Sequence, residues 1–136
     1  MFTEEMKEMI ASQLAMVATV DNEGNPNIGP KRSMRLLDDQ TLIFNENTGG
    51  QTQANIEANG KIEVAYVNRD CLRGYRFCGH AEMVDNGPLF EEAKTWAEGK
   101  MGVPKAAGVI HIDAIYSLHS GKEAGKKAVS YTHLTL

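Results

Sequence analysis

Cysteine is scarce in this chain, and its two residues, Cys71 and Cys78, are not spaced as a CxxC pair. No second cysteine pair and no His-x-x-x-His follows them, which argues against a structural zinc site. We therefore expect two reduced thiols, as in a cytoplasmic protein, and no bound metal.

Long hydrophobic runs and an excess of positive charge are also missing. No stretch of about 18 apolar residues occurs, so no membrane-spanning helix is predicted. The N-terminal residues Met1 to Glu5 are acidic and lack the apolar segment of a signal peptide. Fourteen Lys and Arg against 18 Asp and Glu give a net charge of −4, whereas nucleic-acid-binding surfaces are usually strongly basic. The sequence therefore predicts no membrane or nucleic-acid partner.

What the chain does contain is typical of one globular domain. Its 136 residues are 42% hydrophobic, which is enough to bury a single core. We assign residues 1–121 to the domain and residues 122–136 to a C-terminal tail in which no further element is expected. Residues 130–136, including His133, resemble translated adaptor sequence and receive no weight; a native terminal strand is the alternative.

Hydrophobic periodicity predicts a mainly β fold with short helices. The predicted helices cover residues 3–13 and 51–59, with a third opening at Pro88, and Gly60 is expected to end the second in a left-handed conformation. The predicted strands cover residues 14–20, 27–37, 41–44, 62–66, 75–83 and 110–118. No crossover helix joins the first three strands, which disfavours a parallel dinucleotide-binding sheet. Six strands joined mostly by turns favour a small antiparallel barrel.

The segment from Asn45 to Asn55 is the first candidate site. A strand ends, a loop with Gly49 and Gly50 follows, and a helix begins with Thr52 in its first turn. A helix N-terminus offers unpaired N–H groups to a phosphate, although an ordinary glycine loop before a helix has the same pattern. The Gly-Lys-Ser/Thr ending of a Walker A loop is absent.

A basic cluster, Lys31-Arg32-Ser33-Met34-Arg35, precedes that loop. Strand alternation places Lys31, Ser33 and Arg35 on one face and Arg32 among the apolar residues. A half-buried Arg normally has an anionic partner, whereas a solvated face accounts for Lys31 and Arg35. The cluster and the helix start could therefore face one phosphate.

The ordered series of these motifs resembles the pyridoxamine 5′-phosphate oxidase-like FMN-binding split-barrel family, in particular its short members. The resemblance covers about residues 3–119 and rests on Ala18-Thr19-Val20-Asp21-x-x-Gly24-x-Pro26, Pro30-Lys31-Arg32, Asp38-Asp39-x-x-Leu42-x-Phe44, Thr52-x-x-Asn55-Ile56, Ile62-Glu63-Val64-Ala65, Gly74-Tyr75-Arg76-Phe77-x-Gly79-x-Ala81 and Asp85-x-Gly87-Pro88-x-Phe90.

The resemblance implies a six-stranded antiparallel split barrel that forms a homodimer with two FMN sites at the subunit interface. It carries the FMN-binding role over to Lys31, Arg32, Ser33, Asn45, Gly50, Gln51, Thr52 and Asn55. Many relatives have Arg-Lys or Ser-Lys where this chain has Gly50-Gln51, so one phosphate-neutralising charge is missing and weaker FMN binding is expected. The long C-terminal extension of a full pyridoxamine phosphate oxidase is absent, so that activity is not expected.

Two functions follow from the resemblance. One is an FMN-dependent oxidoreductase or electron-transfer protein with a small-molecule electron donor or acceptor and no catalytic side chain, since the flavin performs the chemistry. The other is a non-catalytic module that binds FMN, haem or a deazaflavin.

His111 and Asp113 with His119 could imitate a metal site, but one exposed strand face accounts for them. Trp96 is expected to serve in packing.

Overall fold

Eight antiparallel strands and three helices make up residues 1–130, the part of the chain that this computed structural model describes. The helices are α1 (Glu4–Ser12), α2 (Gln51–Asn59) and α3 (Pro88–Ala97). The strands are β1 (Ala15–Val20), β2 (Pro26–Lys31), β3 (Arg35–Leu36), β4 (Thr41–Glu46), β5 (Lys61–Asn68), β6 (Arg73–Val84), β7 (Ala106–Ser117) and β8 (Lys127–Ser130). The predicted mainly β fold with short helices is confirmed.

The strands form one curled sheet in the order β2-β1-β5-β6-β7-β4-β3. The long strand β7 has two partners along the same edge: its first half pairs with β4 and its second half with β8. Strand β2, at one end of the sheet, approaches β4, next to the other end, where Lys31 of β2 lies 2.8 Å from the carboxylate of Glu46 of β4. We call the gap between these two strands the split of the barrel, and the ion pair of Lys31 and Glu46 lies across it.

The core lies inside the curl and is covered by α1. Phe77 occupies its centre, fully buried, with its ring centroid 5.7 Å from that of Phe2 and 6.1 Å from that of Tyr66. Helix α1 begins with a capping box at Thr3 and buries Met6, along with Met9 and Ile10, against this core. Helix α2 ends at Gly60 with a φ of 72°, the left-handed cap that its sequence predicts.

The structure has two more strands than the predicted six. The segment over residues 27–37, expected as one strand, breaks after Lys31 into a turn, in which the Met34 N–H bonds to the Lys31 carbonyl at 3.3 Å, and resumes as β3. The turn ends the alternation, so the placement of Arg32 among apolar residues is wrong: Arg32 is exposed. The sequence does not reveal this turn, because its basic and small residues do not strongly disfavour a β-strand.

The second extra strand is β8, in the tail where no element was expected. It pairs with β7 beside residues Ala114–Tyr116. Apolar alternation is too short there to reveal a strand, and the pairing depends on the free edge of β7. Residues 131–136, including His133, lie outside the described residues. Over residues 1–130, no helix has both the length and the apolar content to cross a membrane.

Candidate functional site

A groove of about 360 Å³ between the ends of β2 and β4 contains half of the predicted site residues; we call it the β2–β4 groove. Its walls are formed by Leu14, Pro30, Lys31, Arg32, Ser33, Asn45, Asn47, Thr48 and Met101. The other four predicted residues, Gly50, Gln51, Thr52 and Asn55, lie on the loop and first turns of α2, which continue from Thr48. Chain folding therefore brings the two predicted segments next to each other.

Lys31 is engaged by the protein itself. Its ammonium group lies 2.8 Å from Oε1 of Glu46, a carboxylate with no exposed surface. Oε2 of Glu46 accepts hydrogen bonds from the N–H and hydroxyl of Thr48, at 3.0 and 2.8 Å, and from the Gly49 N–H at 3.1 Å. Burial raises the pKa of Glu46, but the hydrogen bonds from Lys31 and Thr48 outweigh burial and hold that pKa below its usual value. Glu46 is thus an ionised group that fixes Lys31 and the loop before α2.

Ser33 and Asn45 are buried, and their hydrogen bonds connect the turn after β2 to β4 and β4 to α3. The Asn45 N–H donates to the Ser33 hydroxyl at 2.8 Å, and the Asn45 amide nitrogen donates to the Ala93 carbonyl at 2.9 Å. Arg35 donates to the Asn45 side-chain oxygen at 3.3 Å and pairs with Glu92. These side chains have their polar atoms satisfied within the protein, so their role in the groove is to shape its wall.

Arg32 differs from its basic neighbours because its guanidinium is exposed. No carboxylate among residues 1–130 lies within 4.0 Å of it. It is therefore available to an anion that enters the groove.

The start of α2 is uncapped. Gly50 stands at the N-cap position, where no side chain of the described residues accepts a bond from the helix, so the first-turn N–H groups keep their donor capacity. Gln51 donates to the Asn55 side-chain oxygen at 2.7 Å, and Asn55, which is buried, donates to the Thr19 hydroxyl at 3.0 Å. Asn55 therefore anchors α2 to β1, while the helix start faces outwards.

The structure adds one cation that the sequence analysis missed, Lys105. Its ammonium group donates to the Thr48 carbonyl at 3.2 Å, and its side chain lies against Gly49. The β4–β7 pairing places it there, since the Lys105 N–H donates to the Glu46 carbonyl at 2.8 Å. No local pattern in the sequence could have indicated this contact. Lys105 supplies positive charge at the loop where Gly50-Gln51 lacks it.

The outer face of β5, β6 and β7 carries a separate polar cluster. Cys78 donates to Glu63 at 3.0 Å, and burial together with this hydrogen bond raises the pKa of the Cys78 thiol to about 12. The imidazoles of His80 and His111 stack with centroids 5.1 Å apart, and His80 lies 3.0 Å from Asp113.

His119, grouped by the sequence with His111 and Asp113, is instead buried and packs edge-on against Tyr75. Over residues 1–130, no three His, Cys, Asp or Glu side chains are arranged to hold a metal ion.

Comparison with known proteins agrees with this architecture. Residues 2–119 match the family described as pyridoxamine 5′-phosphate oxidase. The chain is 30% identical over 128 residues to an uncharacterized protein of Methanocaldococcus jannaschii, with 91% of this chain and 85% of the other covered.

Solved structures are also similar to this chain. The crystal structure of HupZ from Group A Streptococcus is 63% identical, with a TM-score of 0.87, and the match covers 92% of this chain and 100% of that one. An FMN-binding protein from Syntrophomonas wolfei shares the fold at 19% identity, with a TM-score of 0.74 and 85% of each chain covered.

Proposed function

This chain belongs to the pyridoxamine 5′-phosphate oxidase family, and from that premise we propose that it is an FMN-binding flavoprotein, an oxidoreductase or electron-transfer protein. The observation that supports the proposal is that the exposed Arg32 and Thr48 both line the β2–β4 groove, while the Lys105 ammonium group contacts Thr48 and the uncapped start of α2 follows Thr48 in the chain. Helix N-terminal N–H groups combined with cationic side chains suit a phosphate monoester.

The residues divide into those that would hold the FMN phosphate and those that shape its site. Arg32 and Lys105 would neutralise the phosphate, and the N–H groups of Gly50, Gln51 and Thr52 would bond its oxygens. Lys31 neutralises Glu46 rather than a ligand, and this pair holds the loop in place. Ser33, Asn45 and Asn55 fix the surrounding strands and helix. FMN, when bound, would supply the hydride and single-electron chemistry, so no side chain is assigned as acid or base.

We further propose that the protein acts in the cytoplasm as a homodimer with the flavin at the subunit interface. Among residues 1–128, the large hydrophobic side chains exposed in the single chain support an interface: Leu14, Ile28, Val67, Leu72 and Val103. Light scattering should give twice the monomer mass of 14.9 kDa; a monomer at all concentrations would contradict this part of the proposal.

Comparison of FMN with riboflavin tests the phosphate site directly. Riboflavin lacks the phosphate, so Arg32→Ala and Lys105→Ala should each weaken FMN binding about tenfold and leave riboflavin binding unchanged, as expected for loss of a charge-assisted bond of about 1.4 kcal/mol. Lys122→Ala, at an exposed lysine in another loop, serves as the matched control. If FMN binds no tighter than riboflavin to the unmodified protein, the assignment is wrong.

A non-catalytic cofactor-binding module is the second candidate. The stacked and partly exposed imidazoles of His80 and His111 favour it, because an accessible imidazole is the usual axial ligand of a haem. Oxidation of NADH or NADPH by the FMN-loaded protein separates the two candidates: turnover supports the oxidoreductase, whereas silence together with a haem spectrum that His111→Ala abolishes supports the module.

A further inference from the structure

A cavity of about 310 Å³ lies between α1, the paired ends of β6 and β7, and the tail; we call it the His119 cavity. None of the residues in its wall belongs to the β2–β4 groove, and the whole wall precedes residue 130. Its volume is within the range of small-molecule sites. The proposed flavin chemistry makes no use of this cavity, so its ligand has to be inferred from its own residues.

His119 has one ring nitrogen bonded to the protein and one that is not. The side chain is 8% exposed, and its Nδ1 accepts the Gly74 N–H at 3.1 Å. A ring nitrogen that accepts a hydrogen bond carries no proton, so the proton of the neutral imidazole is on Nε2. Nε2 has no partner among residues 1–130, yet it is not one of their sealed, unpaired polar atoms. Because the residue lines the cavity, Nε2 is an N–H donor that a ligand there can reach.

Two hydroxyl groups in the wall also keep a donor hydrogen. Ser117 is 6% exposed, and its oxygen accepts the backbone N–H of His119 at 3.1 Å. The Thr3 oxygen accepts the Met6 N–H at 3.2 Å. A hydroxyl that accepts can still donate its own hydrogen, and neither hydrogen has an acceptor among residues 1–130. The wall therefore offers more donors than acceptors.

The charged side chains of the wall are net positive. Lys126 and Lys127 line the cavity together with Glu123. Lys126 lies 3.7 Å from Glu123, and the two side chains are 62% and 64% exposed, so their pairing contributes little and opens for a ligand at small cost. No carboxylate of residues 1–130 lies within 4.0 Å of the Lys127 ammonium group. Two cations against one anion favour a negatively charged ligand.

Glu5, beside the cavity, does not compete for these donors. Its carboxylate bonds to Arg73 at 2.6 and 2.9 Å and accepts a hydrogen bond from the Tyr75 hydroxyl. These bonds, that from Arg73 foremost, lower the pKa of Glu5 to about 2. Glu5 is therefore ionised and neutralised by Arg73, and the Tyr75 hydroxyl is committed to Glu5. The unused donors of the cavity remain those of His119, Ser117 and Thr3.

The remainder of the wall is partly apolar. Met6 and Tyr75 are 2% and 6% exposed, and both line the cavity. Donors and cations next to an apolar surface suit an anion with a short apolar body. A carboxylate group fits the donors well, because its two oxygens accept several hydrogen bonds at once.

We propose that the His119 cavity binds a small carboxylic acid as its anion. Its carboxylate accepts hydrogen bonds from Nε2 of His119 and the hydroxyl of Ser117, its charge is balanced by Lys126 and Lys127, and its apolar body lies against Met6. Binding requires only residues of this cavity, so it is independent of whether the β2–β4 groove holds a flavin.

Titration of the full-length, 15N-labelled protein with sodium benzoate at pH 7 tests the proposal, with the histidine side-chain nitrogens observed by NMR. His119 is identified by the resonances that disappear in His119→Asn. We expect a saturable shift of the His119 Nε2 resonance and none at His80 or His111. Benzamide, a neutral molecule of the same shape, should bind at least about tenfold more weakly, because charge-assisted hydrogen bonds are roughly twice as strong as neutral ones.

Two variants and a control locate the binding site. His119→Asn keeps an acceptor for the Gly74 N–H and removes the Nε2 donor, so it should weaken benzoate binding at least about tenfold. Lys126→Gln/Lys127→Gln alters exposed side chains that do not determine folding, and it should weaken binding about fivefold. Lys122→Gln, in the same tail but outside the wall, should leave binding unchanged. Circular dichroism verifies that each variant is folded.

Several results would overturn the proposal. One is a His119 resonance that does not shift, or that shifts without saturation. Another is equal affinity for benzoate and benzamide, or unchanged affinity in the double lysine variant. Benzoate binding that Lys105→Ala abolishes and the double lysine variant does not would place the anion at the start of α2 and reject the His119 cavity as its site.

Discussion

Replacement of Lys31 by methionine removes the cation at the split of the barrel and keeps most of the side chain's apolar length. Glu46 would then remain fully buried without its ion-pair partner. Loss of one member of a buried ion pair typically costs about 3–5 kcal/mol. Three hydrogen bonds from Thr48 and Gly49 remain, and Lys31 is itself 16% exposed. We therefore expect Lys31→Met to lower the free energy of unfolding by about 2–3 kcal/mol at neutral pH.

The pH dependence of this loss identifies its cause. With Lys31 present, the pKa of Glu46 lies below its usual value, so its contribution to stability is complete above the unfolded pKa of about 4.3 and is lost as the pH falls through the folded pKa. Without Lys31, burial dominates and raises the pKa of Glu46. The difference in unfolding free energy between the two proteins should therefore shrink as the pH is lowered from 7 towards about 4.3.

Urea unfolding followed by far-ultraviolet circular dichroism measures both effects. The double variant Lys31→Met/Glu46→Gln should recover about 1 kcal/mol relative to Lys31→Met, because no unpaired charge is buried. Lys7→Met, at an exposed lysine, is the matched control and should change stability by less than about 0.5 kcal/mol. A Lys31→Met protein as stable as the control variant, or a deficit independent of pH, would refute the role assigned to this pair.

Three further predictions concern the rest of the barrel. Alkylation of the folded protein at neutral pH should label Cys71, which is exposed, and spare Cys78, whose pKa is raised to about 12; equal labelling rates in mass spectrometry would contradict this. Tyr66→Phe should leave stability unchanged or raise it by up to about 1 kcal/mol, because the buried hydroxyl has no partner in residues 1–130; a clear loss on urea unfolding would reveal a missed hydrogen bond. Gly79→Ala should destabilise by about 2 kcal/mol or more, since its Cβ would stand 2.2 Å from a carbonyl oxygen of β7; an unchanged unfolding midpoint would reject that contact.

The fold could be predicted from the sequence because local residue patterns indicate its helices and strands. The helix before β5 illustrates this: the loop glycines precede it and Gly60 ends it, and the structure places α2 where the pattern predicts. The strand over residues 27–37 was overextended because alternation continues across the turn at Arg32. A local pattern shows which side chains alternate, but it does not show at which residue the hydrogen bonding between two strands ends.

The candidate site was harder to predict from the sequence than the fold, because its charged side chains contact residues on elements that are not adjacent in the sheet. Lys31 was expected to face a phosphate, yet it contacts Glu46, a residue on a strand that is not its neighbour in the sheet. Lys105 approaches the loop before α2 only through the pairing of β4 with β7. Such contacts depend on strand order, which a single sequence does not display.

The most direct test of the central claim is an absorption spectrum of the protein after incubation with FMN and removal of free ligand by desalting. We expect the visible bands of an oxidised flavin to stay with the protein, with close to one FMN per chain. A flat visible spectrum after loading would contradict it and show that Arg32, Lys105 and the start of α2 do not form a flavin phosphate site.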